Sequence, residues 1–274
     1  MIPKIIHYSW FSGDPYPEPV RLYMETWKRV LPDYEFVLWD MDRAKEIDAV
    51  FFREAIQERK WAFAADYLRC YAVYKYGGIW LDIDIEMRKS FNDLLHHKMF
   101  IGMEGNFYYF GDGVGRHMHT LTSHCFGAEA GHLFLKRCLD HYKDRHFVLS
   151  DDRSLPERLR YDMRILPDIQ ACLANAEFGY EGGMKHENEV VTIDDGITVL
   201  PSWCLEQPKY HPEEDAICIH HFFGAWRPEN YGREYDQKGL YKAPPKNLDY
   251  YVFTFLNKIM RRRGYVLKVM CIGK

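Results

Sequence analysis

Apolar positions along the chain alternate between short strand-like runs and stretches with helical spacing. Residues 4–9 form an apolar run after Pro3, and Gly13, Pro15, Pro17 and Pro19 then punctuate a loop, which predicts a first strand and a turn. From Val20 to Leu31 the positions Leu22, Met24, Trp27, Val30 and Leu31 recur at helical spacing, and Pro32-Asp33 closes the element. Residues 35–39 predict a second strand. Strand, helix and strand in so short a stretch begin a βαβ unit, and therefore a parallel sheet covered by helices.

Trp61, Ala65, Leu68, Ala72 and Tyr76 share one face of a predicted helix over 61–76, which stops where Gly77 and Gly78 can adopt positive φ. Ile79-Trp80-Leu81 follows as a buried strand running into Asp82-Ile83-Asp84. Further on, the pattern predicts a strand over 99–103, a helix over 131–142, a charged loop over 150–160 and a helix over 166–178. Two short strands over 190–200 flank Asp194-Asp195-Gly196, a strand covers 216–220, and a last helix covers 248–260. No repeat or composition break interrupts the chain. The expectation is one α/β domain over 1–245, followed by a C-terminal helix and basic tail over 246–274.

Composition narrows the function classes. Of 274 residues 47% are hydrophobic and 16% aromatic, which excludes a disordered or fibrous chain. Lys+Arg at 36 against Asp+Glu at 40 leave a formal charge of -4, so a general nucleic-acid binder is disfavoured. Seven cysteines without a CxxC pair predict free thiols in a reducing compartment. The opening Met-Ile-Pro-Lys lacks the pattern of a secretory signal, and no run approaches the ~20 apolar residues of a membrane span. A cytoplasmic protein is expected, with Lys258, Arg261, Arg262, Arg263, Lys268 and Lys274 offering a contact through 258–274 with the inner face of a membrane.

Asp82 and Asp84 lie two apart, so both carboxylates point the same way at the carboxyl end of a strand, where open α/β sheets place their ligands. Two hard oxygen donors suit Mg²⁺ or Mn²⁺, although D-x-D is short enough to recur by chance. Asp66 and Arg69 are neighbours at i and i+3 on the preceding helix, and an isolated pair of this kind is only a surface ion pair. In His220-His221-Phe222-Phe223-Gly224-Ala225-Trp226, alternation sends the two histidines to opposite sides, and either one would favour Mn²⁺ over Ca²⁺. Trp10, at the end of the first strand, could stack on a base.

Taken together, Ile2-Pro3-Lys4-Ile5-Ile6-His7-Tyr8-Ser9-Trp10, Trp39-Asp40, Ala65-Asp66-Tyr67-Leu68-Arg69, residues 76–84, residues 127–132 and residues 220–226 resemble the DXD-containing sugar transferases of glycosyltransferase family 32. That family includes capsular and O-antigen transferases and Och1-like mannosyltransferases, and is related to the clostridial glucosylating toxins. The resemblance runs from residue 2 to about 226 and is densest over 65–84. It implies a GT-A-type fold with a central, mostly parallel sheet flanked by helices, and metal-dependent transfer from a nucleotide sugar with retention. The resemblance assigns Trp10 to the base, Asp66 and Arg69 to the donor sugar and diphosphate, and Asp82 to ribose or, through water, to the metal. Asp84 and His221 become the direct metal ligands, Trp226 closes over the diphosphate, and Ile5, His7, Trp80 and Gly224 complete the donor-binding set. Where the family often shows Thr-Gly-Pro, this chain has Ile165-Leu166-Pro167-Asp168. The expected substrates are a UDP-hexose, galactose or glucose, and a glycan or lipid-linked glycan acceptor of surface polysaccharide synthesis. GDP-mannose transfer, toxin-like protein glycosylation and a non-catalytic sugar-binding module are the alternatives.

Overall fold

The computed structural model describes residues 1–109, 117–182, 188–207, 212 and 215–222. The expected helix over 248–260 and the tail over 246–274 lie outside these residues. Strand β1 (Ile5–Ser9), helix α1 (Glu18–Val30) and strand β2 (Glu35–Trp39) form the expected parallel βαβ unit, with Ile5 opposite Glu35 and Ser9 opposite Trp39. Pro19 sits in the first turn of α1, where its missing N–H is harmless, and Lys28 and Arg29 lie at the carboxyl end. The buried face of α1 is Val20, Tyr23 and Trp27, continued by Leu31. Leu22, expected on that face, is 53% exposed: the packed stripe follows the i, i+3, i+7 positions.

Helix α2 (Val50–Gln57) escapes the sequence reading, because its Phe51, Phe52 and Ala55 form too short a stripe to declare a period. Helix α3 (Trp61–Tyr76) ends as expected, with φ of 67° at Gly77 and 102° at Gly78. A Cβ at Gly78 would stand 2.6 Å from the Ile5 carbonyl oxygen, so the close approach of β1 as well as the dihedral demands glycine. Strand β3 (Gly78–Leu81) then pairs with β1, and a short β4 (Ile85–Met87) follows the acidic pair.

Strand β5 (Met99–Tyr109) is longer than expected, and its partner β6 (His117–Ala128) was not foreseen. Its Thr120, Thr122 and His124 alternate with Leu121, Ser123 and Cys125, but the polar half of that alternation is buried, so it does not read as a half-solvated strand. Helix α4 (Leu133–Tyr142), a short helix α5 (Glu157–Arg160) inside the expected charged loop, and α6 (Leu166–Glu177) follow. Strands β7 (Val191–Ile193) and β8 (Ile197–Leu200) form the expected hairpin, with Asp195 at φ 58° in its turn. Helix α7 (Ser202–Leu205) precedes β9 (Cys218–His220), the carboxyl half of the strand expected over 216–220.

The seven-stranded sheet has the order β2-β1-β3-β6-β5-β8-β7, and β4 and β9 form a separate two-stranded ladder. Strands β1, β2, β3, β5 and β8 run one way and β6 and β7 the other, so the expected central, mostly parallel sheet flanked by helices stands. Side chains alternate across the sheet into two cores. Trp80, Met99 and Ile101 join α2, α3, α4 and α6 on one face, whereas Ile79, Leu81 and Phe100 join α1, α7, β4 and β9 on the other. Among the described residues no helix is long and apolar enough to cross a membrane.

Candidate active site

The carboxyl end of β3 places Asp82 beside α3 and within reach of residues after β3 and on β9. Asp82 is held at both oxygens: the Trp80 indole N–H donates to Oδ1 at 2.7 Å, and Arg69 Nη2 donates to Oδ2 at 2.8 Å. The other guanidinium arm, Nη1, donates to Asp66 Oδ1 at 2.6 Å and to Ser123 Oγ on β6 at 2.9 Å. The planar fork of Arg69 thus ties α3, β3 and β6 into one frame, which a lysine could not do. Asp66 Oδ2 accepts the Leu166 N–H at 3.1 Å, at the amino end of α6. Asp66 and Arg69, each less than 9% exposed, are a buried network rather than a surface ion pair.

Asp84 faces His220, whose Nε2 lies 3.3 Å from Asp84 Oδ2. Ligand atoms of Asp82, Asp84 and His220 all lie within 4.8 Å of one another. His221, expected to meet the acidic pair, does not: its ring stacks on Tyr23 of α1 at 4.2 Å, and its Nε2 lies 3.0 Å from Glu86 Oε2. Register explains the exchange. β9 pairs His220 with Ile85, directly after Asp84, and alternation turns the next residue to the other side.

Burial pushes the Asp66 carboxyl up to about 6, against the lowering effect of Arg69. Asp82 is likewise raised by burial, with Arg69 working against the shift and Asp84 adding to it. For His220 burial alone would favour the neutral ring, but Asp84, Asp82 and Glu104 outweigh it and raise its pKa. His124 goes the other way: burial, and then His220, hold it well below its ordinary value. The two carboxylates of Asp82 and Asp84 and the imidazole of His220 are a donor set for Mn²⁺ or Mg²⁺, with nitrogen favouring the former.

The other expected donor-binding residues divide. Trp10 is half-exposed at the carboxyl end of β1, its indole N–H donating to the Asp14 carbonyl at 2.7 Å and its ring 5.2 Å from that of Tyr16. His7 is not placed to touch a donor: it is 1% exposed, its Nε2–H donates to the Gly77 carbonyl, and its Nδ1 faces the Trp39 indole N–H at 3.3 Å. Ile5 lies level with Gly78, at the far end of β3 from Asp82, and packs on the core. Trp80 is fully buried and reaches the site only by holding Asp82. Gly224 and Trp226 lie outside the described residues. Ser123, His124 and Glu104, from the two paired long strands, were missed; the period-two alternation of 119–125 is the one trace of them in the chain.

Residues 17–101, which contain the acidic pair, α3 and β3, match the family described as the glycosyltransferase sugar-binding region containing the DXD motif. The expected resemblance to DXD sugar transferases is therefore found over these residues. Inositol phosphoceramide mannosyltransferase 3 of Schizosaccharomyces pombe is 33% identical over 104 residues, 36% of this chain and 29% of that protein. An uncharacterized glycosyltransferase of Acanthamoeba polyphaga mimivirus is 34% identical over 102 residues, 35% of this chain and 40% of that protein. The chain thus spans less than half the length of either. Among solved structures, the PaToxG glycosyltransferase is 19% identical with a TM-score of 0.43, over 68% of this chain and 72% of that one.

Proposed function

With residues 17–101 belonging to the DXD-containing glycosyltransferase sugar-binding region, we propose that this chain is a metal-dependent, retaining hexosyltransferase that takes its sugar from a nucleotide donor and passes it to a glycan or lipid-linked glycan. The observation that carries this reading is the convergence of Asp82, Asp84 and His220 beside the Arg69 fork. The group that fits is a divalent cation, Mn²⁺ before Mg²⁺, held by Asp84 and His220 with Asp82 directly or through water. When bound, it neutralises charge on the departing diphosphate.

The chain's own residues supply the rest. Asp66 and Arg69, fixed to each other and to Ser123, present a preorganised carboxylate and guanidinium that need no rearrangement when charge develops. Their ties to Leu166 and Asp82 fix both side chains beside Asp82, where they would meet the donor sugar and diphosphate. Trp10 offers its half-exposed ring to the base. A UDP-hexose is the donor favoured by the sequence. The name of the fission-yeast relative, a mannosyltransferase, supports mannose as the second reading.

The test is nucleotide release from a panel of UDP- and GDP-sugars with Mn²⁺. Turnover of one donor is expected, lost on chelation and reduced at least ~100-fold in Asp84→Asn, the loss of about 2.7 kcal/mol or more of transition-state stabilisation. Equal turnover in the chelated or substituted protein would remove the metal from the reading. Absence of binding to every donor would remove the transferase itself.

A further inference from the structure

An imidazole ligand binds through a lone pair in the plane of its ring, so a metal site must fix rotation about the Cβ–Cγ bond, a torsion that is soft on its own. Histidine ligands usually achieve this by donating their second ring nitrogen to a carboxylate or carbonyl. His220 does not: its Nε2 faces Asp84, and its Nδ1 is buried and without a hydrogen-bond partner among the described residues. What the ring meets instead is another ring. His124 of β6 stacks on it with centroids 3.9 Å apart and planes inclined by 28°, and the Phe222 ring flanks it at 4.1 Å.

His124 is itself fixed. It is 2% exposed, and because a carbonyl can only accept, its Nε2–H donates to the Leu205 carbonyl of α7 at 3.0 Å. Its Nδ1 lies 3.8 Å from Glu104 Oε1 on β5, and Glu104 Oε2 accepts the Thr120 hydroxyl at 2.9 Å. Burial and the bond to Leu205 set the His124 ring as a flat plate against His220.

We propose that His124 is a positioning residue that holds the plane of the His220 imidazole by stacking, in place of the hydrogen bond that Nδ1 lacks among the described residues. The inference rests on the metal-binding reading of Asp82, Asp84 and His220. It places His124 outside the ligand set and makes its flat ring the property that counts.

Binding of Mn²⁺ alone to the full chain, followed by the paramagnetic resonance of the free ion, tests it without any donor. Replacing the ring should weaken binding at least ~10-fold in His124→Ala and in His124→Leu, whereas His124→Phe, which keeps a flat ring, stays within ~3-fold of the native chain. Leucine preserves volume, so the leucine and phenylalanine variants decide the matter if the alanine variant does not fold. Native affinity in the leucine variant, or a phenylalanine variant as weak as the leucine one, overturns the role of His124. His220→Ala separates the two levels: if it leaves Mn²⁺ affinity unchanged, the metal reading fails, and if it weakens binding while the His124 variants do not, only the positioning role fails.

Discussion

His220 and His221 part company across a single peptide bond. The first turns toward Asp84, and the second is clamped between the Tyr23 ring and Glu86, with its backbone N–H donating to the Asp84 carbonyl at 3.0 Å. His220→Ala is therefore expected to raise the Mn²⁺ concentration needed for half-maximal donor turnover by ~10-fold or more, since one of three ligands is lost. His221→Ala should leave that requirement unchanged and lower the melting temperature instead, and the reverse pattern would show that the ladder register is misread. His7 makes a second prediction at this scale. Burial lowers its pKa from 6.5 to about 4, so the folded chain keeps it neutral where the unfolded chain would take up a proton. Its contribution to stability is whole above pH 6.5 and is lost as pH falls from 6.5 toward 4, by about 3 kcal/mol in all. The His7 ring resonances should not titrate between pH 7 and 5.5 in the native protein; a midpoint near 6.5 would refute the buried, doubly bonded ring.

At the scale of elements, the site depends on how α3 hands over to β3. Asp66 and Arg69 occupy the middle of a helix, Asp82 follows a four-residue strand, and two glycines between them reverse the chain so that Arg69 meets Asp82. Gly78→Ala places a methyl group 2.6 Å from the Ile5 carbonyl oxygen at φ 102°, and the strain and overlap together should cost about 2–4 kcal/mol. That corresponds to a fall in melting temperature of about 5–12 °C for a chain of this size. Gly13→Ala is the control: φ is 72° but nothing lies within 4 Å of the added carbon, so about 1 kcal/mol is expected. Equal melting curves for the two variants would mean that β1 and β3 do not approach so closely. The helix, its stop and the buried strand were all legible, because period, glycines and an apolar run coincide there. β6 was not, because its polar residues are buried, and His124 packs against Leu205 of α7 and His220 of β9, elements remote in the chain.

At the scale of the whole molecule, the question is how the chain meets its acceptor. Lys258, Arg261, Arg262, Arg263, Lys268 and Lys274 form a basic C-terminal run interleaved with apolar residues, outside the described residues. If this segment rests on an anionic leaflet, the chain should sediment with anionic vesicles at low salt and be released as ionic strength rises. Removing residues 264–274 and replacing the three arginines should abolish sedimentation while leaving turnover of a soluble acceptor unchanged. No vesicle binding by the intact chain at low salt would end the membrane proposal and leave the transferase proposal untouched.

The sequence by itself determined what is local. The βαβ start, α3 with its double-glycine stop and the strand leading into Asp82 and Asp84 are each set by spacing within a dozen or so residues, and short-range sterics and periodicity decide such elements without help. Tertiary structure alone decided what depends on register between distant strands. It chose His220 over His221, because pairing of β4 with β9 sets which face meets Asp84. It moved His7 and Trp80 from the donor to the core, because both lie in strands covered on both faces. It also brought Ser123, His124 and Glu104 to the site from a strand pair whose polar residues are buried by neighbours far away in the chain. A one-residue change of register inverts every side chain of a strand, and nothing in the local pattern of β9 or β6 distinguishes the two choices.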